Sequence, residues 1–380
     1  MENPKKHLII VAGEASGDDR AAELIAEMKK QDPHITFSGL GGKKMAEQGV
    51  EIYFDLASIA VVGFTEVFKH FQTIKNAFNL ILKKIDERKP AAVILVDYPG
   101  FNLRLAKELK KRNVPVIYYV SPQVWAWNAK RIELIKKVVD KMLVFFSFEE
   151  ALYARHDYKV DFIGHPLIDR VKINLEKDAF LKEIGFLGNF RTIGLLPGSR
   201  EKEVQNIFPI MLKAAQYLYQ KNPEFQFLVF KASTIDTKIL HHYLKNTSLP
   251  IQIISEKTYD GINACDFCLV ASGTATLETA ILQKPMIVVY KTSLVTWALA
   301  KLLIKIPNIG LVNIVAGKRI VPECVQFNAT AKTIAYQAIS LLSHEEKLDQ
   351  IKKALREVKS ALGAPEASAR AAQAILNFLK

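Results

Sequence analysis

The stretch Ile193–Arg200 (IGLLPGSR) and the stretch Val270–Glu278 (VASGTATLE) hold the residue types in this chain best arranged for chemistry. Each reads as a buried strand that runs into a Gly/Ser/Thr turn and then opens a helix. A helix N-terminus presents unpaired backbone N–H groups and roughly half a positive charge, so it holds phosphate without a cation. Two such turns, one ending in Arg200, point to a diphosphate held by backbone dipoles and a guanidinium. Taken singly, each is equally a tight strand–helix joint. In the phosphate reading Arg200 and the helix from Glu201 take phosphate oxygens, and Ser272-Gly273-Thr274 supply N–H groups. Glu278, one turn in, accepts from ribose hydroxyls. Asn313, Glu323 and Gln326 are polar residues in apolar surroundings and suit recognition by neutral hydrogen bonds. The sequence has neither an Asp-x-Asp motif nor a His/Asp cluster, so no metal and no cofactor are expected. A diphosphate leaving group would then be stabilised by Arg200 and helix dipoles.

The first half carries a second set. Gly13–Asp18 (GEASGD) follows the first apolar run; it is not G-x-G-x-x-G, and its acidity argues against a dinucleotide. Ser16 or Asp18 is expected to cap the helix behind it, and Glu14 reads as a solvated turn residue or as part of a site. Asp97 follows the most apolar run, in Asp97–Asn102 (DYPGFN). A carboxylate at the carboxyl end of a parallel strand is desolvated, which raises its pKa and makes it a better base; a helix N-cap is the plainer alternative. Ser121–Trp127 (SPQVWAW) brings two indoles that either stack on sugar faces or fill a core. Phe64, Val67, Phe68, Phe71, Ile74, Phe78 and Ile81 recur at helical spacing among lysines, the pattern of a core helix or of a membrane or acyl-chain surface.

These motifs need elements to hold them. Strands are expected at 7–12, 91–96, 116–120, 142–146 and 160–163, and again at 192–196, 226–230, 251–254, 267–271 and 286–290, with amphipathic helices between most of them. Such alternation indicates parallel sheet in an α/β architecture. The pattern lapses into a charged connection at 169–189, so a first domain is placed at 1–168 and a second at 169–362. A terminal helix follows the break Gly363-Ala364-Pro365, with 363–380 packing back on the first domain or on a partner subunit. Two facing Rossmann-like domains would put the motifs at the carboxyl ends of both sheets, where ligands bind.

A net charge of +13 and a pI near 9.4 call for an anionic partner. No zinc spacing, RNP-like strand or basic tail is present, so nucleic acid is not expected. Cys265 and Cys268 form an isolated C-x-x-C that would point to opposite faces of a strand; with Cys324 they read as buried free thiols of a reducing cytoplasm. The apolar run 7–13 is short for a secretory signal, and 294–304 is too short to span a bilayer. A soluble or peripheral protein is expected.

Taken in order, GEASGD at 13–18, GFTEV at 63–67, DYPGFN at 97–102, SPQVWAW at 121–127, GHPL at 164–167, LLPGSR at 195–200, SGTATLE at 272–278 and GAPEASA at 363–369 resemble the lipid-A-disaccharide synthase family almost end to end. The resemblance implies a B-type glycosyltransferase fold with a helical C-terminal segment. It also implies a hexosyltransferase of lipid A biosynthesis, peripheral on the cytoplasmic side of the inner membrane of a Gram-negative cell. Its reaction would move 2,3-diacylglucosamine from its UDP derivative to the 6-hydroxyl of 2,3-diacylglucosamine 1-phosphate (lipid X), with inversion, giving a β-1,6 disaccharide and UDP. Ser199, Arg200, Ser272, Gly273, Thr274, Thr276, Glu278, Asn313, Glu323 and Gln326 would then serve the donor, and Asp97, with Glu14 beside it, the catalysis. Ser16, Asn102, Gln123 and Trp125 would face the acceptor, and Phe64, Glu66, Phe68 and Phe71 the acceptor or an anionic membrane surface. A homodimer exchanging C-terminal segments is a further implication. Tyr98 and Gly100 depart from the family only at variable positions. The rival readings are a UDP-sugar 2-epimerase, which shares the fold, and a basic membrane- or nucleic-acid-binding protein without turnover.

Overall fold

The computed structural model describes residues 6–58, 71–127, 131–186, 188–303 and 306–380. Contacts divide the chain into two compact units, residues 1–166 with 363–380, and residues 167–362.

The first unit is built on seven strands: β1 His7–Ala12, β2 Thr36–Gly41, β3 Glu51–Asp55, β4 Ala92–Val96, β5 Val116–Tyr119, β6 Lys141–Val144 and β7 Asp161–Phe162. They run parallel in the order β3-β2-β1-β4-β5-β6-β7. Leu8–Ala12 and Ala92–Val96 have no exposed surface at all. Helices cover both faces of such a sheet, which is why its central strands read as unbroken apolar runs. Expected strands at 7–12, 91–96 and 116–120 lie within a residue of those found. β2 and β3 were not expected. In β2, Gly39 is required by close approach: a Cβ there would sit 1.8 Å from the Ile10 carbonyl oxygen.

The second unit repeats the scheme with β8 Arg191–Leu196, β9 Phe225–Phe230, β10 Ile251–Ile254, β11 Phe267–Ala271, β12 Met286–Tyr290 and β13 Glu323–Val325. The order is β10-β9-β8-β11-β12-β13, again parallel. Only the three-residue β13 escapes the periodicity reading. Helices Ala331–Leu342 and Glu345–Ala361 close this unit. The final helix, Ala367–Phe378, packs on helix Ala15–Gln31 of the first unit, and Arg370 donates to the carbonyl of Ile163.

Two expectations are corrected. Asp18 does not cap its own helix. Buried at 4% exposure, it reaches across to accept from the amides of Gly42 (2.7 Å), Lys44 (2.9 Å) and Met45 (3.2 Å), capping the short helix Lys43–Glu47. Asp18→Ala is therefore expected to cost about 1–2 kcal/mol in urea unfolding, the scale of a lost cap that leaves buried amides unpaired. An unchanged midpoint would contradict that role. Cys265 and Cys268 are free and buried, but they do not point to opposite faces, because Cys265 lies before β11 rather than on it. Both sulfurs approach the same backbone at Gly194.

Candidate active site

Each sheet reverses its strand order once, between β1 and β4 in the first unit and between β8 and β11 in the second. The loops leaving the carboxyl ends of those strands diverge in opposite directions and leave a crevice, the usual ligand site of open α/β sheets. Among the motifs singled out from the sequence, GEASGD and DYPGFN follow β1 and β4, and LLPGSR and SGTATLE follow β8 and β11, so these four lie at the two reversals.

In the first unit the strands β1, β4 and β5 are neighbours, so Glu14, Asp97 and Ser121 follow one another along one sheet edge. The backbone there is strained: Asp97, Tyr98 and Val120 have φ of 49°, 43° and 72°. Left-handed non-glycine residues cost on the order of 1–3 kcal/mol each and persist only where their surroundings enforce them. The enforcing bonds are visible. The Asp97 carbonyl accepts from the Tyr118 hydroxyl at 2.6 Å and from Asn102 Nδ2 at 2.8 Å, and Asn102 also donates to the Val96 carbonyl. Asn102 is fully buried and so clamps the turn under Asp97 instead of presenting itself to an acceptor.

The Asp97 carboxylate keeps 33% of its side-chain surface in solvent, and Arg20 Nη1 stands 3.5 Å from Oδ2. Burial pushes its pKa above the ordinary value, against the opposing pull of Arg20 and of the Tyr98 amide. Arg20, held over the Phe145 ring, had no signal in the sequence because it arrives from a helix 77 residues away. A base must be ionised to work, so activity should fall on the acid side at a pH above the 3.8 of a free Asp. Arg20→Gln removes the group that stabilises the anion and should move that limb of the kcat/KM profile to still higher pH. A limb that stays in place would detach Arg20 from Asp97.

Glu14, Ser16 and Gln123 are exposed. Glu14 lies near enough to raise the Tyr98 hydroxyl pKa, an effect second to that of burial. Trp125 is half-buried and meets Phe148 edge-on at 5.6 Å, a core contact. Behind this segment Ser121 hydrogen-bonds the Tyr153 hydroxyl at 2.8 Å, and Glu149, 2% exposed, has its pKa pushed up to about 8 by burial. Phe64, Glu66 and Phe68 lie outside the described residues. Phe71 opens the helix Phe71–Arg88 and is 61% exposed.

In the second unit the turns after β8 and β11 open on a cavity of about 610 Å³, lined among others by Gly198, Ser199, Lys231, Lys257, Ser272, Gly273, Thr274 and Glu278. Gly273 has φ 149° and open space where a Cβ would stand, so its amide is approachable from the cavity. Among the described residues neither the Gly273 nor the Thr274 amide donates a hydrogen bond; the first bonds of the following turn come from Thr276 and Leu277. The helix Glu201–Lys221 likewise begins its internal bonding at Val204, leaving its first amides open. Arg200 stands at the start of that helix, 80% exposed and paired with Glu203 at 2.9 Å. Burial raises the pKa of Glu278, against the Tyr259 hydroxyl at 3.2 Å and the charge of Arg170.

Other expected donor residues serve the framework. Asn313 has no exposed surface: Nδ2 donates to the Val321 carbonyl and to Glu323, and Oδ1 accepts from the amides of Ile320 and Val321. Glu323 accepts from the amides of Ile309 and Gly310, and Gln326 accepts from the Thr292 amide and donates to the Thr292 carbonyl. Thr276 is buried, donating to the Gly273 carbonyl. Ser272 Oγ donates to the carbonyl of Ile309. Buried polar groups are hydrogen-bonded as a rule, so polarity inside an apolar stretch marks such a network as readily as a ligand contact. Lys231, Lys257 and Tyr259 were missed; Lys231 directly follows β9 at its carboxyl end, the one cue that could have found it. Among the described residues no three His, Cys, Asp or Glu side chains are grouped to hold a metal, and no helix is long and apolar enough to cross a membrane.

Comparison with known proteins extends these observations. A family model described as lipid-A-disaccharide synthetase matches residues 8–378. The lipid-A-disaccharide synthase of Nitrosococcus oceani is 42% identical over 364 residues, 96% of this chain and 94% of that protein. Among solved structures, the kitacinnamycin glycotransferase superposes with a TM-score of 0.67 at 13% identity, over 100% of both chains. The UDP-GlcNAc 2-epimerase of Neisseria meningitidis gives 0.63 at 16% identity, over 98% of this chain and 100% of that one. At such identities the solved structures bear on the fold, which is that of two Rossmann-like domains as in B-type glycosyltransferases.

Proposed function

The chain belongs to the lipid-A-disaccharide synthetase family, glycosyltransferases of lipid A disaccharide synthesis, and on that premise we propose its substrates and mechanism. The donor is UDP-2,3-diacylglucosamine and the acceptor lipid X, and the transfer inverts the anomeric carbon to give a β-1,6 disaccharide and UDP. The observation that carries this reading is that the family match covers residues 8–378 while each sheet, taken by itself, places its motif at the strand-order reversal.

In the second unit the diphosphate lies against the Gly273 and Thr274 amides and the open first turn of helix Glu201–Lys221, with Ser199 beside it. Arg200 leaves Glu203 to meet it, and Lys231 or Lys257 adds positive charge. Glu278 accepts from the ribose hydroxyls. Asn313, Glu323, Gln326 and Thr276 hold the loops in place. Departing UDP is stabilised by these groups without a metal ion. In the first unit Asp97 takes the proton of the acceptor's 6-hydroxyl, with Glu14, Ser16 and Gln123 along the same edge. A neutral hydroxyl is deprotonated only as the bond forms, so the carboxylate must stand within about 3 Å of it. Exposed Phe71 and Leu294, with the chain's excess of lysine, suit peripheral attachment to an anionic inner-membrane surface. In a homodimer exchanging C-terminal segments, a partner's terminal helix would make the contacts that Ala367–Phe378 makes here.

A coupled assay for UDP release tests the proposal. UDP should appear only when lipid X is added, and a chelator should leave the rate unchanged. Interconversion of UDP-sugars without an acceptor would replace transfer by epimerisation.

A further inference from the structure

A second cavity of about 610 Å³ lies in the second unit at the opposite edge of its sheet. Arg191 opens β8, Asp266 precedes β11 and Pro285 precedes β12, so the lining belongs to the amino-terminal ends of the strands. This is not the edge that holds Ser272 and Gly273. The donor reading makes no use of it.

Its charge is one-sided. Arg191, Lys284, Lys352 and Lys359 line it, against Asp266 alone. Asp266 is already committed, its two oxygens held by Lys177 at 2.6 Å and by the Thr192 amide at 2.8 Å. Lys284 is the distinctive member. It is half-buried, yet its ammonium makes no hydrogen bond or ion pair with any described residue. Burial lowers its pKa, although Cys265, Cys268 and Asp266 pull the other way. A desolvated ammonium without a partner is costly, and an anion entering the cavity would relieve that cost. Lys359, in the same lining on helix Glu345–Ala361, also lacks a partner among the described residues. The remaining wall carries Ile173 (45% exposed), Leu282, Leu342 and Leu348, beside the polar Asn263 and Gln283.

We infer that this cavity is a binding site for a phosphate monoester, its dianion between Lys284, Lys359 and Arg191 and its apolar portion against Ile173, Leu342 and Leu348. Cations and aliphatic side chains in one lining match an amphiphile better than a bare ion. A lipid headgroup and a soluble phosphate share this chemistry, and the probes separate them. The inference does not depend on the donor or acceptor assignment, since it concerns the other sheet edge.

The test uses the full chain with UDP at saturation, so that the donor cavity is occupied throughout. Lysines are acylated with a water-soluble ester and mapped by mass spectrometry, with decyl phosphate below its micelle concentration, inorganic phosphate, or uncharged decyl glucoside present. Decyl phosphate should protect Lys284, and decyl glucoside should not. Lys284→Met should weaken protection of Lys359 by at least about tenfold, the scale of one charged hydrogen bond, and Lys284→Arg should retain it. Exposed Lys359→Gln gives the same reading from the other side if Lys284→Met does not fold. Tighter binding of decyl phosphate than of inorganic phosphate supports the site with a lipid as its source; equal binding supports it with a soluble phosphate. Lys284 acylation unchanged by both phosphates, or protection by decyl glucoside equal to that by decyl phosphate, would overturn the inference. UDP release from donor and acceptor would stand in either case.

Discussion

Asp97→Asn should lower kcat by about 10²–10⁴-fold, the range of general-base catalysis, while UDP affinity stays at the wild-type value. The substitution keeps size and hydrogen-bonding capacity and removes only the ability to take a proton. Asparagine also tolerates the left-handed backbone found at this position, so the turn built on Tyr118 and Asn102 should survive. UDP binding and the thermal midpoint serve as controls for that. A rate near wild type would take Asp97 out of the chemistry and make the strained turn a structural feature only.

Arg200→Ala should weaken UDP binding by about 1.5–3 kcal/mol, the value of a hydrogen bond to a charged group. The side chain is 80% exposed and its pair with Glu203 joins residues one turn apart. Exposed pairs of this kind contribute little to stability, so the variant should unfold with wild-type urea dependence. Affinity and stability are thereby separated. Calorimetry that returned an unchanged UDP affinity would leave the diphosphate to the amides alone, or place it elsewhere.

How far the amino-acid sequence reveals this molecule depends on what each element asks of its residues. Strands buried on both faces declare themselves, and Phe267–Ala271 and Met286–Tyr290 are found as expected. β2 is hidden because Gly39 and Gly41 read as turn residues, whereas in the fold Gly39 answers to the Ile10 carbonyl of the next strand, a contact that no local pattern records. The turns after β8 and β11 were legible because backbone amides at a strand–helix joint need small residues in a short span. Polar residues within apolar stretches were ambiguous. Asn313 and Glu323 bind each other and the surrounding backbone, a network that only the fold reveals. Arg20, Lys231, Lys257 and Glu149 reach their places through tertiary contact from separate elements, so spacing along the chain could not group them with Asp97, Gly273 or Ser121.

The most direct measurement is a crystal structure of the chain with UDP. The account predicts that the diphosphate lies within hydrogen-bonding distance of the Gly273 and Thr274 amides, with the Arg200 guanidinium turned from Glu203 onto its oxygens. A diphosphate bound away from that turn, or one held to acidic side chains through a divalent cation, would contradict it.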